Sequence, residues 1–511
     1  MYSVINTATI NGIDSTLCLV EVDISEGLPM FEMVGFLSAE VKEAKERVRA
    51  ALRHEGVSLP VKRITVNLSP ANIRKSGSGF DLPIAMAILS AIGIVECDKL
   101  DEIVMMGEIS LDGRILPLAG VLPMVLEARN CGKKICVVPK ENAKEAMMVP
   151  DMEIVAVKSL TEIISYLNTG EYQRVEDEIN LKTVEEYEYD FSMINGQPMM
   201  RRACEVAISG MHNLLMVGAP GAGKSMIAKC IPSILPDMSL DEQMELSKIY
   251  SVCGQFNERA GLMSKRPFRS PHHTISEPGL IGGGSVSNPH PGEISLAHKG
   301  CLFLDELTEF RKSTLEVLRQ PLEDKKVAIS RAYGSFTYPA DTVLIAAMNP
   351  CKCGYYPDHN KCNCTPAQVQ SYIGKISQPL LDRIDICVQA PTLSFDEITH
   401  KEKNEASAEI RKRVVACQEI QKDRYEKYGF SYNSQIPSNL IEEFCRLSSL
   451  EVDFMKERYE SLGLTARTYH KVLKVARTIA DMEQVKDLEI RHLEEAFLYR
   501  SLDKSYWEGR I

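Results

Sequence analysis

The sequence lacks the features of a membrane-spanning or exported protein. Its 511 residues contain no run of about 18 apolar residues, so no transmembrane helix is expected. The amino-terminal stretch MYSVINTATINGIDS has neither a basic region nor an apolar signal core. We therefore expect a cytoplasmic protein without a membrane partner. With 44% hydrophobic and 25% charged residues the composition is globular, and the length suggests about three domains.

An excess of positive charge is also missing. The net charge of −11 argues against a surface coated for nucleic acid, although a local basic path, for example one lining a ring, remains possible. The fifteen cysteines lie mostly in apolar stretches such as STLCLVEV and KKICVVP. In a cytoplasmic protein this placement predicts reduced thiols in the core. The stretch NPCKCGYYPDHNKCNC, with four cysteines in sixteen residues, is the exception.

Hydrophobic periodicity divides the chain into three folded parts and a linker, and the overall class is α/β. Residues 1–168 alternate short strands and helices, which predicts an α+β domain. Residues 169–189 are polar and acidic and predict a linker. Residues 190–395 form a second strand–helix module, and residues 396–511 are helical and highly charged.

Local signals in the first part are specific enough to test. Ser38 is a predicted N-cap of a helix that ends before Gly56. Asp112-Gly113 predicts a hairpin turn. Ser159 and Glu162 predict a capping box, in which each side chain accepts from the other residue's backbone N–H.

The stretch NLLMVGAPGAGKSMIAKC is the strongest functional signal. It places the pattern G-x-x-x-x-G-K-S between an apolar strand and a helix, the context that a phosphate-binding loop requires. Its glycines let backbone N–H groups turn toward phosphate oxygens, Lys224 reaches the β- and γ-phosphates of ATP, and Ser225 ligates Mg²⁺. The predicted loop comprises Gly218, Ala219, Pro220, Gly221, Ala222, Gly223, Lys224 and Ser225.

Two further apolar strands end in polar residues suited to hydrolysis. GCLFLDELTEF ends in Asp305, which can hold Mg²⁺ through water, and Glu306, which can polarise the attacking water. TVLIAAMN ends in Asn349, whose amide can orient that water against the γ-phosphate; a simple strand-end turn is the alternative.

Two arginines are candidates for stabilising the transferred phosphoryl group. Arg383, in QPLLDRIDICVQAP, can project to a neighbouring subunit's nucleotide as an arginine finger. Its alternative is a surface pair with Asp385. Arg467 stands at the start of an amphipathic helix, where it can reach a γ-phosphate from a helical lid; its alternative is a solvated arginine.

Together these residues resemble the AAA+ ATPases of the magnesium-chelatase-like branch. The segments RPFRSPHHTIS, PGEISLAHKGCLFLDEL, LRQPLE, AAMNPCKCGYY and LLDRIDICVQAP are similar to the YifB/ComM family along essentially the whole chain. The resemblance implies an AAA+ core with a helical lid, and a hexameric, ATP-driven DNA helicase that promotes branch migration in natural transformation. It also implies roles: Walker A for Lys224 and Ser225, Walker B for Asp305 and Glu306, sensor 1 for Asn349, arginine finger for Arg383 and sensor 2 for Arg467.

In this branch two insertions face the ring pore. ISEPGLIGGGSVSNPHPGEIS and LEDKKVAISRAYGSFTYPAD are the corresponding hairpins here. Basic residues on or near them are candidates for contacts with DNA phosphates, with solvated surface charge as the alternative. They are Lys325, Lys326 and Arg331 on the second hairpin, and Lys265, Arg266 and Arg269 as a nearby basic patch.

The first domain resembles the Lon-type peptidase domain, which has a ribosomal S5 domain 2-like fold. Lon-type catalysis needs a serine activated by a lysine amine. Where that family has its lysine, this chain has Ala119-Gly120-Val121-Leu122, and the best register places Gly79 at the nucleophile position, with Ser76 and Ser78 close by. Neither Arg74 nor Lys75 can be assigned as the missing base. We expect a non-catalytic domain.

The cysteine cluster is a candidate structural metal site. Cys351, Cys353, Cys362 and Cys364 form two close pairs separated by eight residues, and four thiolates suit tetrahedral Zn²⁺. His359 is an alternative ligand, and reduced thiols or a redox switch are alternative interpretations. Because the segment joins sensor 1 to the arginine-finger region, a bound metal is expected to order the site between subunits.

The motifs thus predict a ring-type ATPase that uses ATP and Mg²⁺, and the resemblance implies that it acts on single-stranded or branched DNA. One alternative is a chelatase-type motor that remodels a protein partner, although no acidic–proline linker or integrin-like segment is found in this chain. The other is a nucleotide-dependent switch, against which Asp305, Glu306 and Arg383 argue because a switch has less need of a fast hydrolysis site.

Overall fold

The computed structural model describes residues 1–172, 187–256, 261–284, 289–331, 334–358, 360–392, 395, 397 and 404–500. The middle of the predicted linker and His359 lie outside the described residues. Within the described part, no helix is both long and apolar enough to cross a membrane.

The amino-terminal part is built on a seven-stranded mixed sheet with the order β3-β4-β2-β1-β5-β8-β9. The strands of this part, of which β6 and β7 form a separate hairpin, are β1 (Tyr2–Asn11), β2 (Asp14–Ser25), β3 (Met30–Val34), β4 (Arg63–Ser69), β5 (Ile103–Met105), β6 (Glu108–Ile109), β7 (Ile115–Leu116), β8 (Ile135–Pro139) and β9 (Glu153–Val157). The helices are α1 (Ala39–His54), α2 (Asp81–Ala91), α3 (Val121–Asn130), α4 (Ala143–Ala146) and α5 (Leu160–Thr169). Nearly every residue of α2 is buried, in agreement with its mostly apolar sequence.

Most local predictions for this part are confirmed. The Ser38 side chain accepts from the N–H of Val41 and caps α1, which ends before Gly56. Strands β6 and β7 pair as an antiparallel hairpin around Asp112-Gly113. The capping box is half wrong: Ser159 accepts from the N–H of Glu162, but the Glu162 carboxylate accepts from the N–H of Lys158 rather than of Ser159.

The central part contains a five-stranded parallel sheet with the order β11-β14-β17-β10-β18. The strands of this part are β10 (Leu214–Gly218), β11 (Phe268–Arg269), β12 (Gly282–Gly284), β13 (Pro289–Pro291), β14 (Cys301–Leu304), β15 (Lys326–Arg331), β16 (Gly334–Pro339), β17 (Val343–Met348) and β18 (Ile386–Ala390). Its helices are α6 (Pro198–Gly210), α7 (Lys224–Cys230), α8 (Leu240–Val252), α9 (Glu277–Ile281), α10 (Glu293–Leu296), α11 (Lys312–Glu316), α12 (Arg319–Asp324), α13 (Pro366–Ile373) and α14 (Gln378–Leu381).

Burial of both sheet faces explains why the central strands are continuously apolar. Every residue of β10, β14 and β17 is buried, as expected for a parallel sheet with cover on both sides. Successive residues along each strand pack into two different cores, one on each face of the sheet. One core includes Leu214 and Ile345 and continues into the carboxyl-terminal helices, and the other includes Leu215 and Leu344.

The carboxyl-terminal part is helical, with α15 (Ser407–Tyr425), α16 (Ile441–Phe444), α17 (Ser449–Leu462), α18 (Ala466–Met482) and α19 (Ile490–Leu498). The Thr465 side chain caps α18 by accepting from the N–H of Thr468. One face of α18 is buried against the central part, and its Asp481 carboxylate is held by Arg424 and Arg477. Short 3₁₀ turns lie at Leu100–Glu102, Lys140–Asn142, Phe191–Met193, Ile231–Ile234, Leu307–Glu309, Asn433–Gln435 and Ser438–Leu440.

Both predicted insertions form hairpins, and the two hairpins pack together. Strands β12 and β13 pair from Gly282 with Pro291, while β15 and β16 pair from Lys326 with Pro339. The Tyr338 hydroxyl of the second donates to the carbonyl of Pro289 in the first at 2.7 Å. Residues 285–288 and 332–333, which separate the paired strands in the sequence, lie outside the described residues.

Candidate nucleotide-binding site

The phosphate-loop motif lies between β10 and α7. Gly221 and Gly223 have φ angles of 77° and 84°, in the left-handed region that glycine adopts without strain. A Cβ atom at either position would meet no heavy atom within 4 Å, so the loop surrounds open space. A glycine-lined concavity at a helix start fits the phosphates of a nucleotide.

Lys224 turns its ammonium group into this loop. Its Nζ donates to the carbonyls of Gly218 at 2.7 Å and Ala219 at 2.9 Å, and to Asn349 Oδ1 at 3.3 Å. Burial lowers the pKa of Lys224, and the nearby Asp305 carboxylate partly offsets that effect. The cation is thus held over backbone carbonyls, a position from which it can be drawn to a phosphate.

The carboxyl ends of β10, β14 and β17 bring the remaining predicted groups together. Ser225 Oγ donates to Asp305 Oδ2 at 2.6 Å, which places two candidate Mg²⁺ ligands side by side. Glu306 follows in a left-handed conformation, with φ at 50° and an exposed side chain. Asn349, at the end of β17, completes the group through Lys224.

Arg383 lies at the opposite edge of the same sheet. It precedes β18, and its carbonyl accepts from the Asn213 side chain just before β10 begins. Since β10 and β18 are parallel and paired from Leu214 with Ile386, Arg383 is separated from the phosphate loop by the whole of β10, about 16 Å for a five-residue strand. Arg383 therefore lies at the end of the sheet opposite to its own chain's phosphate loop.

Arg467 shares the surroundings of Arg383. The Arg383 guanidinium donates to the carbonyls of Arg319 and Pro379, each at 2.7 Å, and to the Glu323 carboxylate. Arg467 lies 3.6 Å from the other oxygen of Glu323. Both arginines line a cavity of about 710 Å³. Asp385, the alternative partner of Arg383, is instead approached by His212 and Lys471.

Some contributors to the site carry no clear signal in the sequence. His273 Nδ1 lies 3.5 Å from Glu306 Oε2, and its ring packs on His272 and Phe310. Gln197, buried at the start of α6, bonds to the carbonyls of Ala222 and Pro391 and so ties that helix to the phosphate loop. The parallel pairing of β11 with β14 is what carries His273 to Glu306.

The prediction of a basic patch near the hairpins, available to DNA phosphates, is wrong. Arg266 is buried and is held by Glu242 and by the carbonyls of Pro236 and Lys299. Arg269 donates two hydrogen bonds to the Glu293 carboxylate, and the ammonium of Lys265 lies over the ring of Tyr187. These side chains support the fold, because each meets a partner that the sequence pattern did not reveal. Lys326 on β15 remains exposed.

The region that corresponds to a Lon-type active site contacts the central part of the chain. The N–H of Gly120 donates to the carbonyl of Ser251 at the end of α8, at 2.9 Å. The buried carboxylate of Glu145 accepts from the Ser251 hydroxyl and from the N–H of Leu122. Lys75 is fully buried, and its ammonium donates to the carbonyls of Ile73 and Pro70.

The four clustered cysteines come together directly after Asn349. Their sulfur atoms all lie within 4.8 Å of one another, and Cys351 is buried while the other three are partly exposed. Hydrogen bonding lowers the pKa of the Cys353 thiol to about 6, and the backbone of Tyr355 makes the largest contribution.

Comparison with known proteins finds a magnesium-chelatase family model for each of the three folded parts of the chain. Residues 190–398 match the family model for magnesium chelatase, subunit ChlI; residues 20–142 match that for subunit ChlI of Mg-chelatase; and residues 404–500 match the ChlI C-terminal model. The chain is 38% identical to competence protein ComM of Haemophilus influenzae over 96% of both chains. It is also 38% identical to the uncharacterized protein YifB of Escherichia coli, over 98% of this chain and 97% of that one.

A narrower similarity concerns the first domain. Lon protease 2 of Bacillus subtilis is 32% identical over 124 residues, which are 24% of this chain and 22% of that protein. The parallel five-stranded sheet, the phosphate loop and the two strand-end acidic residues agree with the full-length similarity. The chain therefore belongs to the ComM/YifB family of magnesium-chelatase-like AAA+ ATPases and carries a Lon-like amino-terminal domain.

Proposed function

We propose that this protein is a Mg²⁺-ATP-dependent ring motor that acts on DNA, as a hexameric helicase promoting branch migration. In this proposal Lys224 and the loop N–H groups bind the phosphates of ATP, and Ser225 and Asp305 would hold Mg²⁺, which would neutralise negative charge on the phosphates. Glu306 polarises the attacking water and Asn349 orients it. The motor comprises residues 190–395, with 396–511 as its lid, 169–189 as a linker and 1–168 as an accessory domain.

The proposal of a ring is supported by the separation of the phosphate-binding residues from the two arginines within one chain. Lys224 and Asp305 lie at the carboxyl edge of the sheet, whereas Arg383 and Arg467 lie together near the other edge. An arginine that is to stabilise a γ-phosphate must therefore meet the phosphate loop of a neighbour. A closed ring satisfies this requirement for every subunit.

DNA as the track is supported by the paired hairpins and by the relatives. Lys326 is exposed on β15, where an ammonium can contact a phosphate backbone in a ring pore. A relative of nearly the same length is a competence protein. The alternative, a motor that remodels a protein partner, keeps the same ATP site and differs only in what enters the pore.

ATP turnover is expected to rise several-fold with DNA, and most with single-stranded or four-way-junction DNA. The reason is that a translocating motor hydrolyses fastest with its track in the pore. The measurement is the steady-state ATPase rate with each DNA and without any. Lys326→Ala, which removes an exposed ammonium from the hairpin, is expected to reduce the stimulation while leaving the DNA-free rate unchanged. A rate indifferent to every DNA would favour the protein-remodelling alternative.

Peptidase activity is expected to be absent. The segment from Ala119 to Leu122 packs against α8, and the Lys75 ammonium donates to backbone carbonyls. Among the described residues, Ser78 therefore has Glu108 rather than a lysine amine as its side-chain partner. Unfolded casein incubated with the protein and ATP is expected to stay intact. Ser78→Ala is the matched control: cleavage by the parent protein that this change abolishes would contradict the assignment.

A further inference from the structure

The four clustered cysteines have the spacing of a tetrahedral metal site. Cys351 Sγ lies 3.3 Å from Cys353 Sγ and 3.8 Å from Cys362 Sγ, and Cys353 and Cys362 are 3.5 Å apart. A zinc ion bound to four sulfurs at its usual bond length separates them by about 3.8 Å. The side chains are therefore already gathered as one Zn²⁺ ion requires, with no ligand position left for a substrate.

The segment that carries Cys351, Cys353, Cys362 and Cys364, here called the cysteine loop, packs directly on the phosphate loop. Gly354 sits inside the cluster with φ at 87°, in a turn closed by its N–H donating to the carbonyl of Cys351 at 3.0 Å. A Cβ atom at Gly354 would overlap the ring of Pro220, the third residue of the phosphate-binding motif. At its start, the same loop follows Asn349, which contacts Lys224. The cysteine loop thus contacts the phosphate loop at Gly354 and directly follows a residue that contacts Lys224.

We propose that Cys351, Cys353, Cys362 and Cys364 bind one Zn²⁺ and that this ion braces the phosphate loop through the Gly354–Pro220 contact. Metal occupancy then sets the affinity for nucleotide. The inference rests only on the nucleotide-binding part of the proposed function and is independent of DNA and of ring size.

The physical basis is the cost of ordering a loop with little structure of its own. Of its described residues, Cys351 is buried and the remaining ligands are partly exposed, so apolar burial alone holds the segment weakly. Metal binding supplies the missing free energy, because a site formed only in the folded loop converts binding into folding free energy. Four thiolates select zinc over harder cations such as Mg²⁺.

The first test is metal content. The full-length protein, purified without added chelator, is expected to contain one Zn²⁺ per chain by inductively coupled plasma mass spectrometry. The double variant Cys362→Ser/Cys364→Ser is expected to lose it, while Cys131→Ser, at an exposed cysteine of the first domain, is expected to retain it. Absence of zinc from the parent protein even after refolding with zinc, or disulfides in its place, would overturn the metal site.

The second test separates the brace from the metal. Gly354→Ala keeps all four ligands but forces the loop away from Pro220, and it is expected to retain zinc while weakening the binding of a fluorescent ADP analogue about tenfold. Gly132→Ala is the matched control, because Gly132 also has a positive φ, 75°, but has open space around it. Unchanged affinity in Gly354→Ala would overturn the brace.

Linkage gives an independent readout. If zinc strengthens nucleotide binding, nucleotide must strengthen zinc binding by the same factor. Saturating ADP is therefore expected to lower the fraction of zinc that 4-(2-pyridylazo)resorcinol takes from the parent protein at equilibrium, and not to lower it in Gly354→Ala. An equal equilibrium fraction with and without ADP in the parent protein would contradict the coupling. A parent protein that holds zinc but binds no nucleotide would instead contradict the proposed function.

Discussion

Replacing Glu306 with glutamine is expected to abolish ATP turnover while leaving nucleotide binding intact. The glutamine keeps the size of the side chain but cannot accept a proton from the attacking water, a loss worth about 10²–10⁴-fold in rate. Glu306 is exposed at the end of β14 and lies beside His273, so the change removes no core contact. The steady-state ATPase rate and the dissociation constant of a fluorescent ADP analogue measure the two properties separately.

Glu309→Gln provides the matched control for this variant. Glu309 follows in the 3₁₀ turn after the same strand and lies 3.9 Å from Lys375, with both side chains nearly half exposed. Such a pair contributes little to stability, so this variant is expected to turn over ATP like the parent protein. A Glu306→Gln protein that keeps a substantial fraction of parent activity would show that another group activates the water.

The parts of the site that follow strands could be anticipated from the sequence. The strand NLLMVG and the strands ending in Asp305 and Asn349 are uniformly apolar, and parallel strands place their carboxyl ends at one edge of a sheet. Short-range rules held in part: the Ser38 cap formed as predicted, whereas the capping box of Ser159 and Glu162 formed only by half. Local chemistry and sheet geometry together were sufficient for these groups.

Contacts between distant residues could not be anticipated. Arg266 and Arg269 look like exposed basic residues in the sequence, yet Glu242 and Glu293, each 24 positions away, neutralise them. The contact of Gly354 with Pro220 joins a turn among the four gathered cysteines to a residue more than 130 positions earlier in the chain. Glu323, which joins Arg383 to Arg467, is one of many acidic residues in a chain that has 70. Charge alone does not select a partner; the fold does.

Arg383→Ala is expected to lower ATP turnover about 10³-fold or more without preventing nucleotide binding, the effect of losing an arginine finger. The side chain also donates to the carbonyls of Arg319 and Pro379, so loss of activity in this variant alone does not distinguish a finger from a structural arginine. Arg383→Lys sharpens the comparison, since lysine keeps the charge but not the planar fork.

Mixing inactive variants settles which subunit supplies the arginine. Lys224→Ala and Arg383→Ala proteins are each expected to be inactive. In a mixed ring, however, an Arg383→Ala subunit keeps its phosphate loop and a Lys224→Ala neighbour keeps its arginine, so one intact site forms between them. Activity is therefore expected to return on mixing, in proportion to the fraction of such junctions.

The control mixture is Lys224→Ala with Glu306→Gln. Lys224 and the strand-end acidic residues lie on the same edge of one chain's sheet, joined through Ser225, Asp305 and Asn349. In that mixture, a phosphate loop with Lys224 is always paired with a glutamine at 306, so no junction is complete and activity is expected to stay absent. No recovery in the test mixture would mean that Arg383 acts within its own chain, which its position before β18 opposes. Recovery in the control would mean instead that Lys224 and Glu306 of one site come from different chains.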